Sequence, residues 1–306
     1  MEVIAVAKLG VETTMRLDTD RSPSSWRIIW REIVRDKLAL ISLIFLVLII
    51  TGVYGISLFL DQKQIVSVDL FALYEKPSAK FWLGTDYGGR DVFGQLIIGT
   101  RNSLSIGIIV TVFTGIIGIL VGLVSGYFGG TIDNVFMRIL DFFMILPMLM
   151  IVIAFVTAVP KYNTLSFSLI MTAFLWMGIA RLIRSKTLQE KELDYVQASK
   201  TVGSSNLKIM FTQVLPNLSS IIIVTMTLNL AANIGLESGL SFLGFGFPET
   251  TPSLGTLVSY ARNPQTLEFR WWIWLPASLL ILVLMLSINN VGQALKRATD
   301  ARQRKG

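Results

Sequence analysis

Residues 103–127 read SLSIGIIVTVFTGIIGILVGLVSGY, a run with no charged side chain. A helix needs about 20 mainly apolar residues to cross the hydrocarbon core of a bilayer. In lipid the backbone must satisfy its own hydrogen bonds, which a helix does. The run therefore predicts a membrane span, and reading outward from it gives five more. These are LALISLIFLVLIITGVYGISLFL (38–60), ILDFFMILPMLMIVIAFVTAV (139–159), LSFSLIMTAFLWMGIARLI (165–183), PNLSSIIIVTMTLNLAANIGL (216–236) and WWIWLPASLLILVLMLSINNVG (271–292). Only PKYNT separates the third from the fourth, which makes them a helical hairpin. The fold class is all-α: a polytopic membrane protein with six transmembrane helices.

Composition agrees: 53% of the 306 residues are hydrophobic and 15% charged, outside the usual range of a soluble domain. The chain has no cysteine and no histidine. That removes disulfides, thiol nucleophiles, histidine relays, Ser-His-Asp triads and histidine-ligated metals from consideration. With an even number of spans both termini share a side. Seven lysines and arginines precede the first span and five follow the last. Arg138 and six more between 181 and 208 lie on the same side, which makes nineteen of the 27. The positive-inside bias places that side in the cytoplasm. The net charge of +7 is thus mostly a topology signal, and nucleic acid is not an expected partner.

This divides the chain into a cytoplasmic tail (1–37), the first span (38–60), an external segment (61–102), a five-helix core (103–292) and a second cytoplasmic tail (293–306). Within the core lie a cytoplasmic loop at 184–215 and an external loop at 246–270. The first span is too long for a signal-peptide core and follows a charged tail, so it reads as retained. Just before it, Trp26, Ile29, Trp30, Ile33 and Val34 fall on one helical face, with Arg27, Arg31 and Arg35 on another. That suits an interfacial helix on the inner leaflet, in contact with membrane lipid. Trp271, Trp272 and Trp274 read as an aromatic belt on the far side.

The cytoplasmic loop carries LDYVQASKTVGSSNLKIMFTQVLPN (193–217). Ser204, Ser205 and Asn206 are N-cap residues, followed by Leu207, Met210, Phe211 and Val214 at amphipathic helical spacing. Residues 187–202 also favour helix, with apolar positions spread around it. Gly203 allows a sharp turn and Pro216 opens the next span. Two short helices at an angle are expected there, either as a solvated connector or as a docking element.

The series Asp194, Tyr195, Val196, Gln197, Ala198, Ser199, then Gly203, then Leu215-Pro216-Asn217, resembles the EAA loop of ABC importer permeases. Gln197-Ala198-Ser199 stands where Glu-Ala-Ala is usual. Four more segments are similar to one branch of that family, the C-type permeases of oligopeptide and dipeptide importers. They are LGTDYGGRDVFGQLIIGTRNSL (83–104), GYFGGTIDNVFMRILDFFMILP (126–147), GLSFLGFGFPETTPSLG (239–255) and NNVGQALKRATDAR (289–302). Leu254 replaces a usual tryptophan, Gln293 an aspartate and Ala301 a proline. The resemblance implies a type I importer permease (MetI-like) fold in the bacterial inner membrane. It implies a second homologous permease, two cytoplasmic ABC ATPases docked on Asp194 to Ser199, Gly203, Leu215 and Pro216, and an external or periplasmic peptide-binding protein. ATP and Mg would sit on the ATPases, with no cofactor and no catalytic residue in this chain. The substrate would be an oligopeptide or dipeptide; nickel or another small solute is the alternative.

Independently, the chain has no Gly-Lys dipeptide and so no P-loop. Uphill transport would draw on a partner ATPase or an ion gradient. An ion-driven transporter would carry broken helices and ionisable groups at depth, and an intramembrane enzyme would carry a nucleophile and base; the spans offer little of either. Asn229, Asn233 and Glu237 recur every four residues in the fifth span, a polar stripe that faces either the substrate pathway or a neighbouring helix. Gly118, Gly122 and Gly126 form a small-residue seam in the second. Arg138 and Asp141 are spaced for an ion pair, as are Asp86 and Arg90 in a helix, with the other residues of the external Thr85 to Asp91 cluster as caps.

Overall fold

The computed structural model describes residues 25–159, 163–248 and 250–303. Lys8, Arg16 and Arg21 of the first tail, Arg304 and Lys305 of the last, and the first three residues of PKYNT lie outside them. The described residues are nearly all helical. Five helices are long and apolar enough to cross a membrane, or six if one bent pair counts as a span.

Asp36 caps α2 (Lys37–Ser57), its carboxylate accepting from Leu38 N and Ala39 N. The preceding α1 (Ser25–Arg35) divides its apolar face: Ile33 is buried with Ala39 and Ala294, while Trp30 and Val34 stay exposed. It rests on the protein and leaves an apolar edge exposed. A short α3 (Gln62–Ile65) follows outside.

The second span is longer than its hydropathy indicates. α4 runs from Val92 to Phe128, so it begins well inside the segment assigned to the exterior. Its start is set by Asp91, whose carboxylate accepts from Phe93 N and Gly94 N. Capping overrode the polar run at 100–103, since α4 turns those groups toward protein.

The span expected at 139–159 is bent. α5 (Gly130–Ile145) and α6 (Met148–Ala158) meet at 86°. Pro147 causes the break: it lacks an N–H and holds Leu146 in extended backbone at ψ 142°, as expected of a residue before proline. The pair wraps around α7 (Thr164–Leu175) and α8 (Met177–Glu190), burying Leu140, Val152, Val156, Phe167 and Met171 in one core.

α11 (Leu215–Leu243) and α14 (Trp271–Gln303) complete the bundle. α14 absorbs what reads as a C-terminal tail, because residues 293–303 continue the helix. Between them the external loop folds as α12 (Leu254–Ser259), a 3₁₀ turn (Tyr260–Arg262) and α13 (Pro264–Phe269). The aromatic belt is also corrected. Trp271 points out, but Trp272 is buried against Val92 and Ile273 and donates from Nε1 to Thr85 O.

The glycine seam packs α4 on α8. A Cβ at Gly122 would meet Ala180 O at 2.5 Å, and at Gly118 and Gly126 it would meet Ile179 and Arg184 O at under 3 Å. Two ion pairs fix α5 on the same helix, Arg184 with Asp133 and Arg181 with Asp141. Asp141 thus pairs across helices rather than with Arg138, since α8 brings its arginine directly over the carboxylate.

Candidate functional site

The cytoplasmic loop forms one free-standing helix instead of two. α8 carries span four on to Glu190, α9 (Asp194–Thr201) stands alone, and α10 (Asn206–Ile209) runs without a break through a π turn (Met210–Val214) into α11. The second amphipathic helix is therefore the cytoplasmic end of the fifth span, 38 residues long in all. Helix is propagated more easily than it is started, and Pro216 sits just after the π turn, in the first turn of α11.

The turn between α9 and α10 depends on Gly203, at φ +83° in open space. That backbone favours glycine. Ser205 caps α10, accepting from Lys208 N.

Three contacts hold α9 to the bundle. Val196 is fully buried among Leu123, Ile183, Ile209, Met210 and Val214. Tyr195 Oη donates to Glu190 at 2.6 Å and accepts from Asn217 Nδ2 at 2.7 Å. Gln213 Nε2 donates to Ser199 Oγ at 2.8 Å. Gln197 Nε2 further donates to Lys191 O, closing the turn before α9. Burial, and then the hydrogen bond from Tyr195 to Glu190, push the Tyr195 phenol up to about 12. It stays a donor at any physiological pH.

The remaining residues of the loop face outward. Asp194, Gln197, Ala198 and Gly203 are exposed, as are Leu193, Val202, Leu207 and Phe211. Val202 is 85% exposed. The expected stripe of Leu207, Met210, Phe211 and Val214 is split, since Met210 and Val214 turn inward while the other two turn out. Leu215 is half-buried and Pro216 exposed at the start of α11. The loop is thus pinned from behind and presents an apolar surface in front, flanked by Lys200 and Lys208. The bond from Asn217 to Tyr195 has no local sequence signal, because the partners are 22 positions apart; Leu193 and Val202 were legible only as apolar residues at irregular spacing, and Phe211 as part of a stripe that the fold splits.

The polar stripe of α11 is placed mostly inside the chain. Asn233 Nδ2 donates to Thr111 Oγ1 of α4 at 2.8 Å, the interhelical alternative. Glu237 is fully buried. Ser241 and Ser238 donate to its carboxylate, and Ser103 and Ser253 also hydrogen-bond to it. A carboxylate at that depth requires donors, and four hydroxyls supply them. The Asn233 and Glu237 side chains are both buried within the chain. Asn229 is half-buried and donates to Thr225 O of its own helix.

Outside, the Thr85 to Asp91 cluster is structural. Asp86 accepts from Gly88 N, Arg90 N, Arg90 Nε and Gln95 Nε2, all between 2.8 and 3.1 Å. The Asp86–Arg90 pair forms in a turn rather than in a helix, between the bridged residues Thr85 and Asp91. No group of three or more carboxylates able to hold a metal occurs among the described residues.

Sequence comparison places these features. Residues 118–305 match the family of binding-protein-dependent transport system inner membrane components, and residues 24–66 match the N-terminal transmembrane domain of oligopeptide transport permease C. The chain is 50% identical to the oligopeptide transport system permease protein OppC of Lactococcus lactis subsp. cremoris (strain SK11), over 89% of this chain and 93% of that one. It is 34% identical to OppC of Bacillus subtilis (strain 168), over 93% and 92%. With the dipeptide transport system permease protein DppC of the same organism it shares 37%, over 90% and 85%. The chain belongs to the family of binding-protein-dependent transport system inner membrane components.

Proposed function

We propose that this chain is one of two permease subunits of an ATP-driven importer of oligopeptides or dipeptides, and that α9 with the turn to α10 is where a cytoplasmic ATPase docks. The observation that carries the reading is the construction of the loop: a helix fixed to the bundle by Val196, Tyr195 and Ser199, with Leu193, Ala198, Val202, Leu207 and Phe211 left on its outer surface. A contiguous exposed apolar patch outside the spans marks an interaction site. Both termini and this loop are cytoplasmic, as the lysine and arginine asymmetry indicates. ATP and Mg are held by the two ATPases, and an external binding protein delivers the peptide.

Mechanically, the loop is a rigid lever. α9 is bonded to both α8 and α11, whose ends it bridges, and α8 is locked to α4 through the glycine seam. A push on α9 therefore moves α4, α8 and α11 together. Rocking of such a unit against the second permease opens the pathway to one side at a time. We assign Asn229, the member of the stripe left partly accessible, to the pathway wall, with Asn233 and Glu237 supporting it from behind.

Reconstitution tests this. The chain, its second permease and the ATPases in proteoliposomes should take up labelled peptide only with ATP and binding protein present, and nickel should not substitute. Uptake driven by an ion gradient without ATP would refute the reading.

A further inference from the structure

On the external side the signature segment and the loop before α14 enclose a cavity of about 500 Å³, lined by Tyr74, Tyr87, Tyr260, Arg262, Asn263 and Thr266 among others. Its walls are built by strained and paired groups. Tyr74 is the one non-glycine residue among those described with a positive φ, +54°. Such backbone persists only where its surroundings enforce it and tends to mark a functional position. Here Tyr74 N donates to Asp86 O, and the Arg270 guanidinium lies 3.4 Å from the Tyr74 ring centroid. Arg90 stacks on Tyr87 at 4.8 Å and donates to Tyr260 Oη at 3.1 Å. The buried Asp86–Arg90 pair, with the cap it gives the turn, thus sets two of the three tyrosines.

The charge of this cavity is unbalanced. Asp86 neutralises Arg90. Arg262 and Arg270 have no carboxylate within ion-pair distance among the described residues, and Arg262 is exposed, its Nε donating to Ser259 O. Asn263 Oδ1 is used in capping α13, so its Nδ2 is the donor left to the cavity. The Arg262 guanidinium and the Asn263 amide on aromatic walls, with the Arg270 guanidinium stacked on the Tyr74 ring of one wall, are a receptor for a carboxylate on a short aliphatic stem. The volume lies in the lower half of the range for small-ligand sites, room for one or two side chains.

We propose that this cavity receives an acidic side chain from a loop of the external binding protein, and that Arg262 and Arg270 are its cationic contacts. The proposal rests on the importer reading above and adds to it the place and chemistry of the external contact. Tyrosine and arginine are the residue types that dominate the energy of protein interfaces. A fixed aromatic wall loses little freedom when the partner arrives.

The test uses the complete importer in nanodiscs and the purified external peptide-binding protein, with affinity read by surface-immobilised binding at two salt concentrations. Arg262→Glu and Arg270→Glu should each weaken binding by at least about tenfold, with Arg262→Gln intermediate. Lys80→Glu, the same charge change on another part of the external face, should leave affinity unchanged. An acidic-to-arginine change in the binding protein should restore affinity to the Arg262→Glu and Arg270→Glu importers and weaken binding to the wild type and to Lys80→Glu. If the wild type binds but the arginine variants bind equally well, the cavity is not the contact and the importer reading survives. If they alter instead the uptake KM for peptides differing at the C-terminal carboxylate, with binding-protein affinity intact, the carboxylate belongs to the peptide and the proposal falls. If the wild-type importer does not bind the protein at all, the importer reading falls first.

Discussion

Asn217, in the first turn of α11, donates a 2.7 Å hydrogen bond to the hydroxyl of Tyr195, on α9, which in turn donates to Glu190 at the end of α8. One side chain thereby joins three helices at the cytoplasmic face. Asn217→Ala removes one neutral hydrogen bond, about 0.5–1.5 kcal/mol, and Tyr195→Phe removes that bond together with the one to the Glu190 carboxylate, about 1.5–3 kcal/mol more; both should leave the spans assembled and loosen α9 alone. Hydrogen exchange of the 194–201 amides should accelerate in either variant, more in Tyr195→Phe, and the double variant should be little worse than Tyr195→Phe. Independent, additive effects would show that the bond does not couple the helices.

Alkaline pH gives a second test of the same group. The Tyr195 phenol has its pKa raised to about 12 by burial and Glu190, against about 10 in an unfolded chain. A raised folded value means that the protonated form is favoured by the fold; the contribution is fully present below pH 10 and disappears as pH rises through 12. Tyr195→Phe lacks this contribution, so its stability should lie below that of the wild type by a constant amount from pH 6 to 9 and approach it as pH rises from 10 to 12. Stability would be followed by thermal unfolding in detergent. A deficit that stays the same from pH 9 to 12 would contradict the assignment.

The glycine seam makes a steric prediction. Gly122→Ala places a methyl 2.5 Å from Ala180 O, which is backbone and cannot step aside. Overpacking of this kind costs about 1–3 kcal/mol, seen as a lower melting temperature and lower yield. Gly178→Ala is the matched control: its Cβ meets nothing of this chain within 4 Å, and alanine is the better helix former by about 0.8–1 kcal/mol. Equal effects at the two sites would refute close packing of α4 on α8.

Glu237 should behave as an internal hydrogen-bond centre. Glu237→Ala strands four serine hydroxyls and should loosen the loop from Phe245 to Thr256 against α4, by about 1–3 kcal/mol for the groups left unpaired. Glu237→Gln keeps one acceptor oxygen and turns the other position into an amide donor, so it should lose less. Protease sensitivity of the external loop reads the difference. If alanine and glutamine variants are equally resistant, the serines do not depend on the carboxylate.

Much of this architecture could be read from residue order, and the exceptions have physical causes. Long apolar runs located every span, because hydropathy acts locally; Ser205 and the cluster holding Asp91 were recognisable as caps for the same reason, while the Asp36 cap came from the structure. The bend at Pro147 was visible as a proline but not as an 86° turn, since a proline inside a span can also be tolerated when neighbours re-satisfy its carbonyl. The extension of α4 to Val92 and of α11 back to Asn206 escaped the hydropathy signal because polar residues there are satisfied by other helices. Pairings such as Arg184 with Asp133, 51 positions apart, and Ser253 with Glu237 depend on packing and carry no local mark. In the loop, residue types left a connector and a docking element both open, and the family resemblance pointed to docking; which residues face outward awaited the fold.

The central claim is that the outer surface of α9 is the ATPase contact, and the chain's lack of cysteine allows a direct measurement. With one cysteine introduced at Ala198 and, separately, at Thr227 within the fifth span, a photoactivated thiol-linked crosslinker would be applied to the assembled importer. The account predicts an ATPase adduct from position 198, abolished by Val202→Asp with Leu207→Asp, and no ATPase adduct from 227. An adduct-free position 198 in an importer that still hydrolyses ATP in response to binding protein would contradict it.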